Sequence, residues 1–170
     1  MRSALTAALT AAGLTILGAT STSALAHGEE THAKSGKPAI STEEYDFGVE
    51  GDPGRAVRTV ALSMDDTMRY SRPDIRVRQG ETVTLVVTNK GKLMHELVIG
   101  TEEELREHAE LMARYPGMRH DEPYMAHVRP GSTERITWRF NKPGTFRFGC
   151  LVPGHFEAGM KGTIVVIARP

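Results

Sequence analysis

Three side chains that bind soft metal ions lie close together in the sequence. Cys150, His155 and Met160 follow one another at five-residue intervals in the run FGCLVPGHFEAGMKG, and Cys150 is the only cysteine. A thiolate, an imidazole and a thioether within one short loop form a ligand set that suits copper better than other common metals. A fourth ligand is required from elsewhere, and His95 in the run KLMHELVIG is the leading candidate. The chemistry that these residues predict is copper binding.

The residues before Cys150 predict the strand that positions its thiol. In the run TFRFGC, alternation places Phe146, Phe148 and Cys150 on one face. A Pro-Gly turn signal follows and allows the chain to fold back, so that the three side chains of the loop converge. His95 begins another strand-like run, and the end of a neighbouring strand in a sandwich can supply the remaining ligand.

Short strand-like runs recur from Arg58 onwards. They are rich in Val, Ile, Thr and aromatic residues, and Gly, Pro and Asn turn signals separate them. Many short strands with such turns predict an all-β protein, built as an antiparallel sandwich or barrel. After the strand at Arg58, the predicted strands cover residues 75–77, 82–88, 95–99, 135–140, 145–150 and 163–167.

One segment departs from the β pattern. Thr101 followed by three glutamates has the form of a capping box, and apolar residues then recur at helical spacing as far as Tyr115. This pattern predicts a single helix over residues 102–115, inserted between two strands. The next stretch, GMRHDEPYMAHVRPG, is predicted to be irregular.

The N-terminal sequence predicts export. Residues 1–26 combine an early arginine, an apolar stretch of small residues and a terminal ALA with the form of a signal-peptidase site. Cleavage after Ala26 leaves a chain that begins at His27, with a flexible, His-containing arm over residues 27–44 and one domain over 45–170. No segment approaches the roughly 18 apolar residues of a membrane span. A periplasmic protein without a membrane span is expected.

Charge and cysteine content narrow the remaining possibilities. The chain has 21 Lys and Arg against 21 Asp and Glu, so nothing indicates the basic surface that nucleic acid requires. In an oxidising compartment the lone Cys150 is buried and inert, bridged to another molecule, or bound to metal. Its neighbours His155 and Met160 favour the metal.

These residues resemble the cupredoxins, the family of blue or type 1 copper proteins. In that family one histidine lies far upstream of a loop that carries Cys, His and Met, and Cys-x4-His-x4-Met is among the spacings found. The resemblance covers roughly residues 74–168 and implies a Greek-key β-sandwich. It also implies that His95, Cys150 and His155 are strong copper ligands and that Met160 is a weak axial ligand.

Within the family, the runs MHELVIG and CLVPGHFEAGM and the His-containing arm resemble the periplasmic, CopI-like copper-tolerance cupredoxins. This resemblance implies copper handling and tolerance with Cu(I)/Cu(II) redox capability. The alternative is a diffusible one-electron carrier between periplasmic redox partners. An enzyme such as an oxidase or reductase is not expected, because such a closed copper site lacks an open position for substrate. The expected partners are copper ions and a periplasmic redox or copper-trafficking protein.

Residues outside the loop offer further nitrogen and sulfur donors. The α-amine and imidazole of His27 would chelate Cu(II) after cleavage, and His32 could add a nitrogen. A Met/His stretch before the next predicted strand would suit Cu(I), although methionines more often fill gaps in cores. A stoichiometry above one copper per chain is therefore the alternative to a single copper site. The members of this stretch are Met118, His120, Met125 and His127.

Two neighbours of the predicted ligands have roles of their own. Glu96 follows the first histidine, where many cupredoxins have Asn or Ser, and is predicted to tune the copper centre through its charge or a hydrogen bond. By strand alternation, Glu96 could instead face solvent. In the family the imidazole of the loop histidine reaches the surface. Here the residues predicted to surround His155 as an apolar docking patch are Val152, Pro153, Phe156 and Ala158.

Overall fold

The computed structural model describes residues 39–116, 118 and 120–170. The predicted signal peptide over 1–26 lies outside these residues, as does most of the predicted arm over 27–44, including His27 and His32. Eleven strands and one α-helix form the described part of the chain.

The strands follow one another along the chain with a single helix between the seventh and eighth. In chain order they are β1 Glu44–Tyr45, β2 Gly48–Glu50, β3 Arg58–Asp65, β4 Arg69–Tyr70, β5 Asp74–Arg78, β6 Glu81–Asn89, β7 His95–Gly100, β8 Met125–Val128, β9 Thr133–Phe140, β10 Gly144–Gly149 and β11 Lys161–Ile167. Helix α1 is Glu102–Arg114, and a 3-10 turn occupies Pro53–Arg55.

These strands form two sheets, and the predicted all-β sandwich with one inserted helix is confirmed. The first sheet has the order β1-β2-β9-β6-β3-β4, and the second has the order β5-β11-β10-β7-β8. Pairing is mostly antiparallel, as predicted, but β3 with β6 and β5 with β11 are parallel. The parallel pair in the first sheet arises because the chain leaves that sheet to form β5 in the second and then returns to form β6.

The core between the sheets is apolar and aromatic. Alternation along β6 buries Val83, Leu85 and Val87 completely. Trp138 of β9 is also fully buried, stacks on Phe47 with ring centroids 5.4 Å apart, and donates a hydrogen bond of 2.9 Å from Nε1 to the Phe47 carbonyl. Buried aromatic pairs with a satisfied polar group contribute strongly to packing. This contact fastens the segment after β1 to the centre of the first sheet.

Helix α1 begins with the predicted capping box. The Thr101 hydroxyl accepts the Glu104 N–H at 3.2 Å, and the Glu104 carboxylate accepts the Thr101 N–H at 2.8 Å. The predicted helix is confirmed, and it ends at Arg114, one residue earlier than expected. Within the described ranges, no helix is long and apolar enough to cross a bilayer.

The helix covers the outer face of the second sheet. Leu97 and Ile99 of β7 point into the core between the sheets, whereas Val98 between them belongs to a second apolar cluster with the helix. Strand β7 is consequently buried on both faces. The members of this second cluster are Val98, Leu105, Ala109, Met125, Leu151 and Phe156.

Strand β8 lies in the stretch that was predicted to be irregular, so that prediction is wrong for Met125–Val128. This strand pairs with β7, with His95 opposite Val128 and Val98 opposite Met125. Because the core covers one of its faces and the helix cluster the other, its sequence lacks the alternation of a half-buried strand. Strands β1, β2 and β4 have only two or three residues each, too few to show a period.

Candidate metal centre

Three donor atoms converge at one end of the second sheet. The Nδ1 atoms of His95 and His155 are 3.2 Å apart, and Cys150 Sγ lies 3.3 Å from His155 Nδ1. One ligand atom from each of the three residues falls within 4.8 Å of the others. His95 and Cys150 are fully buried, and His155 is partly exposed. The structure therefore brings together the three residues predicted as strong ligands.

The spacing of these atoms fits a shared metal ion. Two nitrogens that each lie about 2.0 to 2.1 Å from one metal, at a near-tetrahedral angle, are roughly 3.3 Å apart. A single N–H proton can form only one hydrogen bond among His95 Nδ1, His155 Nδ1 and Cys150 Sγ. Hydrogen bonds alone would therefore leave the other close contacts among these three atoms unsatisfied. A thiolate with two imidazoles is a ligand set that copper favours. The donor chemistry and the distances between the donor atoms both fit a bound copper ion.

Strand pairing explains why these residues meet. Strand β10 pairs with β7, with Gly149 opposite Val98, so Cys150 emerges beside the start of β7. The backbone N–H of Glu96 donates to Cys150 Sγ at 3.3 Å. Because His95 immediately precedes Glu96, the same strand provides a candidate ligand and a hydrogen bond to the sulfur.

The loop between β10 and β11 is closed by its own backbone. The Cys150 N–H donates to the Met160 carbonyl at 3.0 Å, and the Met160 N–H donates to the His155 carbonyl at 3.0 Å. Arg69 of β4 donates to the Ala158 carbonyl at 2.8 Å and fastens the loop to the first sheet. Met160 is fully buried and belongs to the same apolar cluster as Cys150. The predicted axial ligand is therefore held in the loop that carries the other two.

The environment of the site favours neutral groups in the absence of a metal. Burial raises the pKa of the Cys150 thiol to about 12, and the charge of Glu96 adds to this effect, against the opposing hydrogen bonds from backbone N–H groups. Burial and the neighbouring His95 lower the pKa of His155. A neutral imidazole is the form that binds metal, whereas the thiol must lose its proton to do so. Copper binding here is therefore coupled to proton release.

Glu96 is buried and does not face solvent, so that alternative is wrong. Its register partner on β8 is His127, and the Glu96 carboxylate lies 2.9 Å from His127 Nδ1. Burial disfavours the charged imidazolium of His127, but the His120 carbonyl and the Glu96 carboxylate outweigh it and raise the pKa of His127. Strand β8, which the sequence did not predict, covers Glu96 and accounts for its burial. The carboxylate thus has an ion-pair partner one residue from a predicted ligand.

The Met/His stretch does not come together as one group. His120 Nε2 lies 2.7 Å from His108 Nε2, and Met118 lines the same cavity of about 640 Å³ as these two rings. His127 pairs with Glu96, as described above, and its Nε2–H donates to the His120 carbonyl at 2.9 Å.

Met125 packs in the cluster beneath the helix with an exposure of 8%. This placement follows the expectation that methionines often fill cores. His108 of helix α1, by contrast, was not among the predicted donors. A histidine on the helix twelve residues before His120 was the available signal, but it carries no local spacing that indicates a pair.

The surface around His155 differs from the predicted patch at one residue. Phe156 is buried, so its place in that patch is wrong. Its ring packs over Gly149, where an added Cβ would lie 2.7 Å from Phe156 Cδ2, and it joins the helix cluster. Pro153 and Ala158 are exposed and Val152 is partly exposed. Gly149, immediately before Cys150, leaves the space that the Phe156 ring occupies.

Comparisons with known proteins agree with this geometry. The family model of copper-binding proteins of the plastocyanin/azurin family matches residues 57–167. The copper-resistant cuproprotein CopI of Rubrivivax gelatinosus is 48% identical over 120 residues, which cover 71% of this chain and 73% of the relative. The copper-resistant cuproprotein CopI of Vibrio cholerae serotype O1 is 32% identical over 120 residues, covering 70% of this chain and 71% of the relative.

A solved structure shows the same fold. The dithionite-reduced auracyanin of the photosynthetic bacterium Roseiflexus castenholzii superposes with a TM-score of 0.57 at 25% identity, covering 68% of this chain and 99% of that chain. The family match extends from the start of β3 to the end of β11 and includes all the converging residues. On the family match, the sandwich fold and the close relatives together, the chain belongs to the plastocyanin/azurin family of copper-binding proteins.

Proposed function

We propose that this protein is an exported type 1 copper protein that handles copper in the periplasm and contributes to copper tolerance. The observation that carries the proposal is the convergence of two imidazole nitrogens and one thiol sulfur within 4.8 Å at a buried position. The relatives named copper-resistant cuproproteins support the tolerance role. The predicted cleavage after Ala26 supports the compartment.

In this proposal four side chains hold one copper ion. His95 and His155 bind through Nδ1 and Cys150 through Sγ as strong ligands, while the Met160 thioether is the weak axial ligand. Bound copper supplies one-electron exchange between Cu(I) and Cu(II). The fully buried His95, Cys150 and Met160 keep water away from the site. A closed set of this kind favours redox cycling over substrate activation, so we propose no enzymatic reaction.

The second candidate function is diffusible electron transfer. The partly exposed His155, with Pro153 and Ala158 at the surface beside it, offers a short route for electrons to a docked protein. Against this, histidine and methionine donors outside the loop serve copper handling and add nothing to electron carriage. We therefore place copper handling first.

A genetic and a kinetic experiment separate the two functions. A strain that lacks the protein is expected to become copper-sensitive, and the native gene, but not a Cys150→Ala gene expressed at the same level, is expected to restore growth. Electron exchange of the purified copper protein with periplasmic cytochromes is measured alongside. Normal copper tolerance of the deletion strain together with rapid exchange would favour the carrier and overturn the handling role.

We further propose a Cu(I) site formed by His108, His120 and Met118 at the cavity beside helix α1. The two facing imidazoles and the thioether form a set that suits Cu(I). Replacing His108 and His120 together with alanine is expected to lower the Cu(I) stoichiometry by about one equivalent, because two donors are lost. Chelator competition measures the stoichiometry.

The matched control for this second site is Met125→Leu. Met125 is buried in the helix cluster, so a volume-conserving change there leaves the copper stoichiometry unchanged. An unchanged stoichiometry in the double histidine variant would contradict the second site.

The N-terminal donors His27 and His32 are proposed as a Cu(II) chelate. Mass spectrometry of the mature protein tests this proposal, because an N-terminus other than His27 would remove the amine from the chelate.

Glu96 is proposed to lower the reduction potential of the centre. Its carboxylate sits one residue from His95 and contributes negative charge near the copper, which favours Cu(II). Glu96→Gln keeps the size of the side chain and removes the charge, so the potential is expected to rise by up to about 59 mV, equal to a tenfold change in relative affinity. Voltammetry measures this shift. Glu157→Gln, an exposed charge in the ligand loop, is the control, and an unchanged potential and spectrum in Glu96→Gln would count against tuning.

A further inference from the structure

A carboxylate that the sequence did not single out contacts the first histidine ligand. Asp66 lies in the turn between β3 and β4, and its Oδ1 is 3.1 Å from His95 Nε2. We propose that Asp66 is the positioning residue of the copper site, which fixes the His95 ring so that Nδ1 faces the metal and biases the centre towards Cu(II). This inference rests on the proposed function, because it requires copper on His95.

The two nitrogens of the His95 ring have separate partners. Nδ1 points at His155 Nδ1, and Nε2 points at Asp66 Oδ1. The ring is fully buried, and Asp66 is its hydrogen-bond partner at Nε2. A neutral imidazole has one N–H, and donating it to the carboxylate leaves the lone pair on Nδ1 for the metal. Asp66 therefore selects the tautomer that the ligand role needs.

Asp66 also holds the backbone that leads to His95. The Lys92 N–H donates to Oδ2 at 2.8 Å, and the Leu93 N–H donates to Oδ1 at 3.2 Å. One carboxylate thus fixes the ring of the ligand and the two residues before Met94. Such combined contacts restrict ring rotation more than a single bond would.

The loop is shaped to admit this carboxylate. At Gly91 an added Cβ would lie 2.0 Å from Asp66 Oδ1 and 3.0 Å from the Asp66 backbone nitrogen. The buried Asn89 braces the loop from the other side, because its Oδ1 accepts the Gly91 N–H and its Nδ2 donates to the Leu93 and Val128 carbonyls. Any side chain at position 91 would force the turn and the loop apart. The glycine at position 91 therefore permits the close approach of the Asp66 carboxylate.

The contact between Asp66 and His95 also links the two sheets. Asp66 follows β3 of the first sheet, whereas His95 begins β7 of the second. A ligand that is held from both sheets keeps its place when the charge on the metal changes. The carboxylate charge, one imidazole ring away from the copper, stabilises Cu(II) relative to Cu(I).

Two substitutions of Asp66 separate charge from contact. Asp66→Asn keeps the oxygen that accepts from His95, but it removes the charge and the acceptor of the Lys92 N–H. The ratio of Cu(II) to Cu(I) affinity is therefore expected to fall about tenfold, equal to a rise in potential of about 59 mV. Asp66→Ala removes the contact as well and is expected to weaken Cu(II) binding by a further 10- to 100-fold, on the order found for outer-shell partners. Voltammetry, chelator competition and the EPR spectrum give these values.

The matched control is Asp65→Asn at the neighbouring position, the last residue of β3. Asp65 accepts hydrogen bonds from Thr67 and has no hydrogen bond to His95 in the described structure, so the substitution removes the same charge without that contact. Its shift in potential is expected to be well below that of Asp66→Asn. Thermal unfolding of each metal-free variant verifies that the fold is retained.

A steric variant tests the same contact without changing any charge. Gly91→Ala is expected to weaken Cu(II) binding in the native background, because it displaces Asp66. In the Asp66→Ala background it is expected to have a much smaller effect, since the clash with the carboxylate is gone and only the 3.0 Å approach to the backbone nitrogen at position 66 remains. Non-additivity of this kind assigns the effect to the carboxylate.

The outcomes distinguish this inference from the function on which it rests. An intact thiolate-to-copper absorption band together with native potential, affinity and EPR spectrum in Asp66→Ala would overturn the role of Asp66 alone. A shift in Asp65→Asn as large as in Asp66→Asn would also overturn it, because charge without contact would then suffice. Absence of the band from the unmodified protein would overturn the copper centre and, with it, the role of Asp66.

Discussion

Replacing Cys150 with alanine is expected to abolish the intense visible absorption of the copper-loaded protein. That absorption arises from charge transfer between a thiolate and copper, and Cys150 is the only cysteine in the chain. No second thiol can replace it, so the loss is expected to be complete. Visible and EPR spectra of the native and Cys150→Ala proteins, loaded with equal amounts of Cu(II), measure the effect.

The backbone of the loop is expected to survive this substitution. The hydrogen bond from the Cys150 N–H to the Met160 carbonyl does not involve the side chain, and the pairing of β10 with β7 and β11 is also made by the backbone. Far-UV circular dichroism should therefore remain native. Met160→Leu is the matched control in the same loop. It removes the proposed weak ligand, keeps the volume of the side chain and should retain the band. A native protein that binds copper without this band would contradict a type 1 site.

Replacing Trp138 with alanine is expected to lower the free energy of unfolding by about 3 to 5 kcal/mol. The ring is completely buried and stacks on Phe47, and Tyr45 and Tyr124 pack against it. The substitution removes these contacts, leaves a cavity and deprives the Phe47 carbonyl of its donor. Total stabilities of about 5 to 15 kcal/mol are usual, so the variant would lose a large share of its stability.

Urea unfolding of the metal-free protein, followed by circular dichroism, measures this loss. Arg139→Ala, at the exposed next position of β9, is the control and should change the stability by no more than about 0.5 kcal/mol. Trp138→Phe separates the two contributions, because it keeps much of the apolar volume but loses the hydrogen bond to Phe47. A loss below about 1 kcal/mol in Trp138→Ala would show that the neighbouring aromatic side chains close the cavity.

Local patterns in the sequence were sufficient to predict much of the site and the fold. The predicted ligands Cys150, His155 and Met160 lie in one loop, so their spacing carries the information directly. The helix was predicted because its capping box and its apolar period are both local. His95 was predicted less directly, from its place at the start of a strand, and the pairing of β7 with β10 supplies the missing proximity.

Features that depend on contacts between distant segments were not predicted. Asp66 stands in a turn of polar residues, where an aspartate is usually solvated, and nothing in that turn indicates a partner on another sheet. Strand β8 is covered on both faces, which removes its alternation. Phe156 turns inward because Gly149, on the preceding strand, leaves space for its ring. In each case the contact that determines the position of the residue or strand forms only when the chain packs, and the local sequence pattern does not show it.

The parallel pairing of β5 with β11 has a consequence for the order of folding. Asp74 and Thr163 are register neighbours, although most of the domain is synthesised between them. Chains dominated by such non-local pairings fold slowly, because the entropy of closing a long loop is lost before the stabilising contacts form. His95 emerges from the ribosome well before Cys150, and the loop with the other ligands is anchored only when β11 joins β10 and β5. A growing chain is therefore expected to lack a preformed copper centre until its last strand has joined the second sheet.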